Sequence, residues 1–161
     1  EASGVGVDVS AAALAVARDN AERLGVGSRS RWIVGLDAPE VGVGFDLVVA
    51  NLPYIPSAEI ATLAADVRAF EPHGALDGGI DGMAIMREVA PSLLRLLRAG
   101  GLALFEGGAG QAPELERLFA SIPELEPAGR WADLAGVERV TGARRRVPNP
   151  QISLGKSGLR A

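Results

Sequence analysis

Short apolar runs alternate with amphipathic segments along this chain, and the alternation predicts an α/β fold. The apolar runs predict strands at residues 4–9, 30–35, 45–50 and 102–106. Segments with helical periodicity predict helices at residues 10–24, 58–67, 81–98 and 111–120. Residues 125–131 and 137–143 predict a closing antiparallel pair. We therefore expect a mostly parallel sheet with helices on both faces and an antiparallel hairpin at one edge, the runs at 30–35 and 45–50 lying inside the sheet.

Local signals mark where several helices begin and end. Ser10 is a good N-cap and Gly25 a stop signal for the first helix, which should bury Leu14, Ala17, Ala21 and Leu24. Asp81 should cap a long helix that Pro91 kinks or restarts. That helix should bury Ile85, Val89, Leu93, Leu96 and Leu97. Residues 74–82 are expected to form a Gly-rich surface loop.

Composition narrows the class of protein. A chain of 161 residues with 48% hydrophobic content can bury one sizeable core. It has no apolar run near the ~20 residues that a membrane span needs, and its start lacks the features of a signal peptide. With no cysteine and one histidine, we expect no metal site. A net charge of -4 argues against a surface built for nucleic acid, so we expect a cytoplasmic enzyme.

The segment Asn51-Leu52-Pro53-Tyr54 follows a strand at the end where open α/β sheets bind ligands. The Asn51 side chain and the Leu52 carbonyl can each accept a hydrogen bond from a flat NH2 group. Pro53 stiffens the segment, and the ring of Tyr54 can cover a planar substrate. The alternative is a Pro turn with a packed tyrosine and no function.

This segment resembles the motif with which S-adenosylmethionine-dependent methyltransferases hold amide or exocyclic amino nitrogens. Residues 67–82, which include Phe70-Glu71-Pro72, look like the segment that follows it in the release-factor glutamine methyltransferases, the HemK/PrmC family. Residues 7–21, residues 100–108 with Gln111, and residues 133–140 resemble further elements in the family's order. The resemblance covers nearly all of residues 5–146.

The resemblance implies a Rossmann-like class I methyltransferase fold, a three-layer sandwich, and methyl transfer from S-adenosyl-L-methionine. The acceptor it implies is the side-chain amide of the Gly-Gly-Gln glutamine of bacterial peptide chain release factors. It places catalysis and substrate binding at Asn51, Leu52, Pro53 and Tyr54, with Glu71 as a further substrate contact. It places cofactor contacts at Asp8, Leu36, Asp37 and Asn51, where Asp8 can accept the ribose hydroxyls. Asp8 has a simpler alternative role, which is to help Ser10 begin the next helix.

Two other functions stay open. Leu52 stands where the family usually has proline, and Asn-Leu-Pro-Tyr is also the form seen in ribosomal RNA adenine dimethyltransferases. An adenine N-methyltransferase acting on RNA or DNA is therefore the first alternative, against which stand residues 70–72 and the acidic charge. The second alternative is an inactive fragment. Glu106, His73 and residues 144–146 are weaker candidates, each explained equally well as a strand end, a solvated loop residue or a charged surface.

The beginning of the sequence lacks two features of the family, a first strand with its Gly-rich turn and a helical N-terminal domain. We expect residues 1–146 to be the C-terminal part of a methyltransferase domain and residues 147–161 a loose tail. We expect the complete enzyme to be monomeric. Residues 1–161 alone should bind the cofactor weakly and tend to aggregate, because exposed strand edges invite association.

Overall fold

The computed structural model describes residues 2–148 and divides the chain into two compact units, Glu1–Gly42 and Val43–Ala161. Residues 149–161, which make up most of the predicted tail, lie outside the described part. The expectation that residues 1–146 belong to one methyltransferase domain stays a prediction. No helix among residues 2–148 is both long and apolar enough to cross a membrane.

The first unit is a strand-helix-strand motif with parallel strands. Its elements are β1 (Gly4–Asp8), α1 (Ala11–Arg23) and β2 (Ser30–Val34), with 3-10 turns at Gly27–Arg29 and Pro39–Val41. The strands pair in register from Gly4 opposite Ser30 to Asp8 opposite Val34. The Ser10 hydroxyl oxygen accepts a 3.2 Å hydrogen bond from the Ala13 N–H, which confirms the predicted N-cap.

Helix α1 buries Leu14 and Ala21 as predicted, whereas Ala17 is half-buried. The prediction for Leu24 is wrong, because 76% of this residue is exposed. The helix ends at Arg23, and Leu24 is the C-cap with φ -88° and ψ 1°. Its side chain therefore leaves the direction of the buried stripe. Gly25 adopts the left-handed φ of 68° that commonly ends a helix.

The second unit contains a four-stranded mixed sheet and five short helices. Its elements are β3 (Phe45–Asn51), α2 (Ala65–Phe70), α3 (His73–Leu76), α4 (Ala84–Val89), α5 (Leu93–Leu96), β4 (Leu97–Glu106), α6 (Ala112–Ala120), β5 (Leu125–Ala132) and β6 (Glu138–Arg145). The strand order is β3-β4-β6-β5, in which β3, β4 and β5 run in one direction. Strand β6 is antiparallel to both of its neighbours, so the predicted edge hairpin is confirmed and its antiparallel strand lies second from the edge.

Strand β3 occupies the other edge of this sheet and pairs with β4. The expectation that residues 45–50 lie inside a sheet is therefore wrong for this sheet. Its consequence is visible in the apolar side chains, since 49% of Leu47 and 70% of Val49 are exposed. Val48 and Ala50, which point to the opposite face, pack against the core.

The long helix predicted over residues 81–98 is broken into two. Helix α4 ends at Val89, and Pro91 lies in a 3-10 turn, Ala90–Ser92, before α5 begins, so the predicted restart at Pro91 is confirmed. The predicted end at residue 98 is wrong, because Leu97 is already extended and opens β4. Met83, Met86, Ala90 and Leu93 form the buried stripe at helical spacing, while Ile85 and Val89 are only half-buried.

Two predictions for the segment before α4 also need correction. The helix predicted over residues 58–67 is divided between a 3-10 helix, Ser57–Thr62, and α2, because Ala64 is extended at ψ 144°. Residues 74–82 are not simply a surface loop. They contain the end of α3 and a β-bridge between Ile55 and Asp77, and Gly78 is buried.

The core of this unit lies between one face of the sheet and helices α4 to α6. Residues at alternate positions of β4, Gly101, Ala103 and Phe105, are buried, as period-two geometry requires. Phe105 meets Phe119 of α6 edge to face, with ring centroids 5.3 Å apart. The predicted burial of Leu93, Leu96 and Leu97 is confirmed. This packing fixes β4 and α6 relative to each other.

We predict that Asp81→Asn flattens the acid dependence of unfolding. Hydrogen bonds from the Arg87 guanidinium and the Met83 N–H lower the pKa of Asp81 to about 2. A lowered pKa means that the stabilisation is present above the unfolded-state pKa of about 3.9 and is lost as pH falls toward the folded value. The measurement is urea denaturation of wild type and variant at steps of pH through this window. Asp66→Asn is the control, and equal pH slopes for wild type and Asp81→Asn would contradict the prediction.

Candidate active site at the carboxyl edge of the sheet

A row of side chains crosses the four-stranded sheet at the end where β3 and β4 finish. Asn51 lies opposite Glu106, Glu106 opposite Val140, and Val140 opposite Trp131. Residues in register on neighbouring strands project from the same face. Asn51 is exposed, and no hydrogen bond described for residues 2–148 involves its side chain. Its amide is therefore available to a ligand at this edge.

The segment after Asn51 turns back over this row. Leu52 and Tyr54 are half-buried and pack against the core, and Pro53 between them is half-buried as well. The Tyr54 hydroxyl lies 3.4 Å from Glu106 Oε1, to which it donates a hydrogen bond. Burial and the nearby Glu106 carboxylate raise the pKa of Tyr54, while Arg139 acts in the opposite direction. Tyr54 is therefore a neutral phenol throughout the physiological pH range.

The backbone beyond Tyr54 is held by residues 76–79. The Ile55 N–H donates to the Leu76 carbonyl at 3.0 Å, and the Ile55 carbonyl accepts from the Gly78 N–H at 2.9 Å. Ser57 Oγ donates to Asp77 Oδ1 at 2.6 Å, and the Gly79 N–H donates to the same oxygen at 2.9 Å. These two hydrogen bonds lower the pKa of Asp77. The segment is thus fixed on its C-terminal side by a small hydrogen-bonded network.

Gln111, the N-cap residue of α6, holds the segment from a second direction. Its Nε2 donates to the Tyr54 carbonyl at 2.9 Å, and its Oε1 accepts from the Gly108 N–H at 2.7 Å. Gly82 lies against the same point. A Cβ on Gly82 would stand 2.3 Å from the Tyr54 carbonyl oxygen and 2.5 Å from Gln111 Nε2. Only a residue without a side chain fits there.

A depression of about 460 Å³ opens beside Tyr54 and Glu106. The hairpin supplies its other walls, chiefly Trp131, Asp133 and Arg139. Arg139 Nε donates to Asp133 Oδ2 at 3.3 Å, so the guanidinium is held at the rim. The depression therefore combines a carboxylate, a guanidinium and an aromatic ring next to the Asn51 segment.

The cofactor residues predicted by resemblance, apart from Asn51, lie in the first unit. Asp8 is exposed at the end of β1, and its Oδ1 accepts a 2.7 Å hydrogen bond from the Ser10 N–H. That bond is the alternative role expected from the sequence. It uses one oxygen and leaves Oδ2 outside the hydrogen bonds described for residues 2–148, so a hydroxyl ligand can still be accepted. Leu36 is half-buried and Asp37 exposed, both after β2.

Other candidates lie apart from this row or were not expected in it. Glu71 is exposed at the C-cap of α2. His73 is exposed and faces Asp77 at 3.8 Å. Glu106 was left open by the sequence, and the structure brings it to Asn51 and Tyr54. Among residues 2–148, no group of three or more His, Cys, Asp and Glu side chains is arranged to hold a metal ion.

Comparison with known proteins places the chain in a family. It is 42% identical over 147 residues to the release factor glutamine methyltransferase of Bradyrhizobium diazoefficiens, an alignment covering 91% of this chain and 50% of that protein. It is 48% identical over 130 residues to the protein of the same name from Caulobacter vibrioides, covering 78% and 44%. The chain belongs to the release factor glutamine methyltransferase family. It spans about half the length of the curated relatives it matches.

Solved structures agree on the fold. The ribosomal protein L11 methylase of Lactobacillus delbrueckii subsp. bulgaricus matches with a TM-score of 0.59 at 18% identity, over 90% of this chain and 58% of that one. The [4+2]-cyclase SpnF matches with a TM-score of 0.61 at 13% identity, over 91% and 67%. The predicted Rossmann-like class I methyltransferase fold is confirmed. No protein-family model matches the chain. Because a cyclase shares the fold, activity must be argued from the site.

We predict that Gly82→Ala destabilises the family member more than Gly136→Ala does. Both glycines have positive φ, 74° and 81°, so both variants carry the backbone strain of about 1–3 kcal/mol. Only the Gly82 variant also presses a methyl group against the Tyr54 carbonyl, since nothing lies within 4 Å of a Cβ on Gly136. Urea denaturation of both variants measures the difference. Equal losses of unfolding free energy would show that the Tyr54 segment moves aside freely.

Proposed function

We propose that the protein containing this chain transfers a methyl group from S-adenosyl-L-methionine to a release-factor glutamine, the one in the Gly-Gly-Gln motif. The observation that carries the proposal is the exposed Asn51 side chain at the carboxyl edge of the sheet, followed by a backbone segment fixed on two sides. The identity to curated release factor glutamine methyltransferases supports the same substrate.

The chemistry asks chiefly for positioning. A glutamine amide nitrogen is a poor nucleophile, because its lone pair is delocalised into the carbonyl group. Asn51 Oδ1 and the Leu52 carbonyl accept hydrogen bonds from the two N–H groups, which orients the NH2 group and aims the lone pair away from the segment. The nitrogen gains the methyl group and loses one proton as the carbon–sulfur bond breaks. Fixing the amide in line with that bond can contribute several kcal/mol.

The residues proposed to hold the cofactor suit its chemistry. The free Oδ2 of Asp8 can accept a ribose hydroxyl, while Leu36 and Asp37 follow the neighbouring strand, where an adenine can be met. Asn51 is proposed to contact cofactor and substrate alike. When bound, S-adenosyl-L-methionine supplies an electrophilic methyl group on a positively charged sulfur. Tyr54, held neutral by burial, covers the amide without adding charge.

The depression beside Tyr54 is suited to the polypeptide on either side of the target glutamine. Glu106 offers an acceptor, Arg139 offers donors, and the ring of Trp131 offers an apolar surface that is 46% exposed. The release factor is therefore the partner that we propose, in the cytoplasm, with a monomeric enzyme. Glu71 is proposed as an outlying contact with the same substrate.

The full-length protein should label a release factor and leave RNA unlabelled when it is incubated with radiolabelled cofactor. The acidic net charge of -4 disfavours a phosphate backbone as substrate. A release factor whose target glutamine is replaced by alanine is the control and should stay unlabelled. Label in RNA but not in protein would establish the adenine alternative instead.

Asn51→Ala in the full-length enzyme should lower kcat by about 100-fold, while the dissociation constant of the cofactor changes little. The substitution removes one of the two acceptors at the reacting amide and leaves the fold intact, because Asn51 is exposed. Asn20→Ala, at an exposed position of α1, is the matched control. Near-normal turnover of the Asn51 variant would show that this residue only forms a turn.

A further inference from the structure

We propose that Gln111 is a positioning residue of the methyl-transfer reaction, and that it sets the orientation of the Asn-Leu-Pro-Tyr backbone. The inference rests on the function proposed above. Neither the family resemblance nor the names of the relatives assigns a role to this side chain.

The first step of the argument is the pair of hydrogen bonds that one amide group makes. Gln111 Nε2 donates to the Tyr54 carbonyl at 2.9 Å, and Oε1 accepts from the Gly108 N–H at 2.7 Å. Tyr54 follows β3 and Gly108 follows β4. A single side chain therefore ties together the two loops that leave the carboxyl ends of adjacent parallel strands.

The second step is that Gln111 is itself fixed. It precedes α6, whose Leu115 and Phe119 are completely buried in the core. Its backbone N–H donates to the Gly108 carbonyl at 3.1 Å, which closes a tight turn. The helix and the core thus act as a rigid support, and the side chain transmits that rigidity to the Tyr54 carbonyl.

The third step is that the surroundings leave the side chain little freedom. A Cβ on Gly108 would lie 3.1 Å from Gln111 Oε1 and 3.4 Å from Tyr54 Cδ2. Gly82 presses from another direction, as its virtual Cβ stands 2.5 Å from Nε2. Glycine at these two positions allows the amide to reach both partners at once.

The fourth step connects the tether to the reacting group. The Leu52 carbonyl, proposed to accept from the substrate amide, belongs to the peptide bond immediately before Pro53. Because the Pro53 ring fixes φ, orienting the next peptide at Tyr54 also restricts the direction of the Leu52 carbonyl. Loss of the tether should therefore misdirect an acceptor without removing it, and a misplacement of about 1 Å can cost up to 100-fold in rate.

The test compares Gln111→Glu with Asn20→Asp in the full-length enzyme. Both variants exchange an amide for a carboxylate, but Asn20 is exposed in α1. Gln111→Glu keeps the acceptor for the Gly108 N–H and loses the donor to Tyr54. We expect kcat to fall by about 10- to 100-fold, with KM for the release factor and cofactor affinity within about twofold of wild type. Asn20→Asp should match wild type.

A pH profile separates positioning from general loss of structure. A protonated glutamic acid can again donate to the Tyr54 carbonyl while accepting from Gly108. The deficit of Gln111→Glu relative to wild type should therefore shrink as pH falls toward the carboxyl pKa, ordinarily about 4.3. A deficit that is constant with pH, or a kcat equal to that of wild type, would overturn the proposal.

Amide hydrogen exchange gives a readout that does not depend on activity. The Ile55 N–H, which donates to Leu76, should exchange faster in Gln111→Glu and in Gln111→Met than in wild type, and amides of β4 should not. Gln111→Met serves if the glutamate variant fails to fold. Unchanged exchange at Ile55 overturns the tether. A wild-type enzyme that methylates no release factor would instead overturn the proposed function, and the exchange result would still decide whether Gln111 holds the segment.

Discussion

Strand β4 lies between β3 and β6, and its register against both decides which side chains meet at the carboxyl edge of the sheet. One face of β4 is committed to the core through Ala103 and Phe105, so Leu102, Leu104 and Glu106 must face the other way. A slip of one residue would bury Glu106 and expose Phe105, which the packing of Phe105 against Phe119 forbids. The alignment of Asn51, Glu106, Val140 and Trp131 follows from that hydrophobic constraint.

The same core also controls the loops beyond the strands. Helix α6 is anchored by Phe119, and Gln111 at its start reaches the backbone after β3 and after β4. Asp77 and its neighbours hold the remaining side of the Asn51 segment. Loop conformation at this edge is thus determined by hydrogen bonds to rigid elements. This is the kind of support that a reaction limited by the orientation of a weak nucleophile requires.

Much of this architecture could be predicted from the sequence, because the strands and α1 carry strong local signals such as the Ser10 cap and the apolar run of β3. Helix ends were harder. Leu97 passed as the end of a helix because its leucine neighbours fit either period, and the extended Ala64 gave no local signal. The Asn51 segment was visible as a motif, yet the inclusion of Trp131 and Arg139 depended on strand register, which a single sequence does not specify. Gln111 was seen only as part of a resembling segment, since its two partners are distant or backbone groups.

The central claim is that the edge of this sheet presents a glutamine amide through Asn51 and Leu52. A crystal structure of the full-length enzyme with S-adenosylhomocysteine and a glutamine-containing release-factor peptide tests it most directly. The account predicts that the amide nitrogen lies within hydrogen-bonding distance of both Asn51 Oδ1 and the Leu52 carbonyl oxygen, with the neighbouring peptide entering the depression beside Tyr54 and Trp131. An amide held by other groups, or a peptide bound on another face of the sheet, would contradict it.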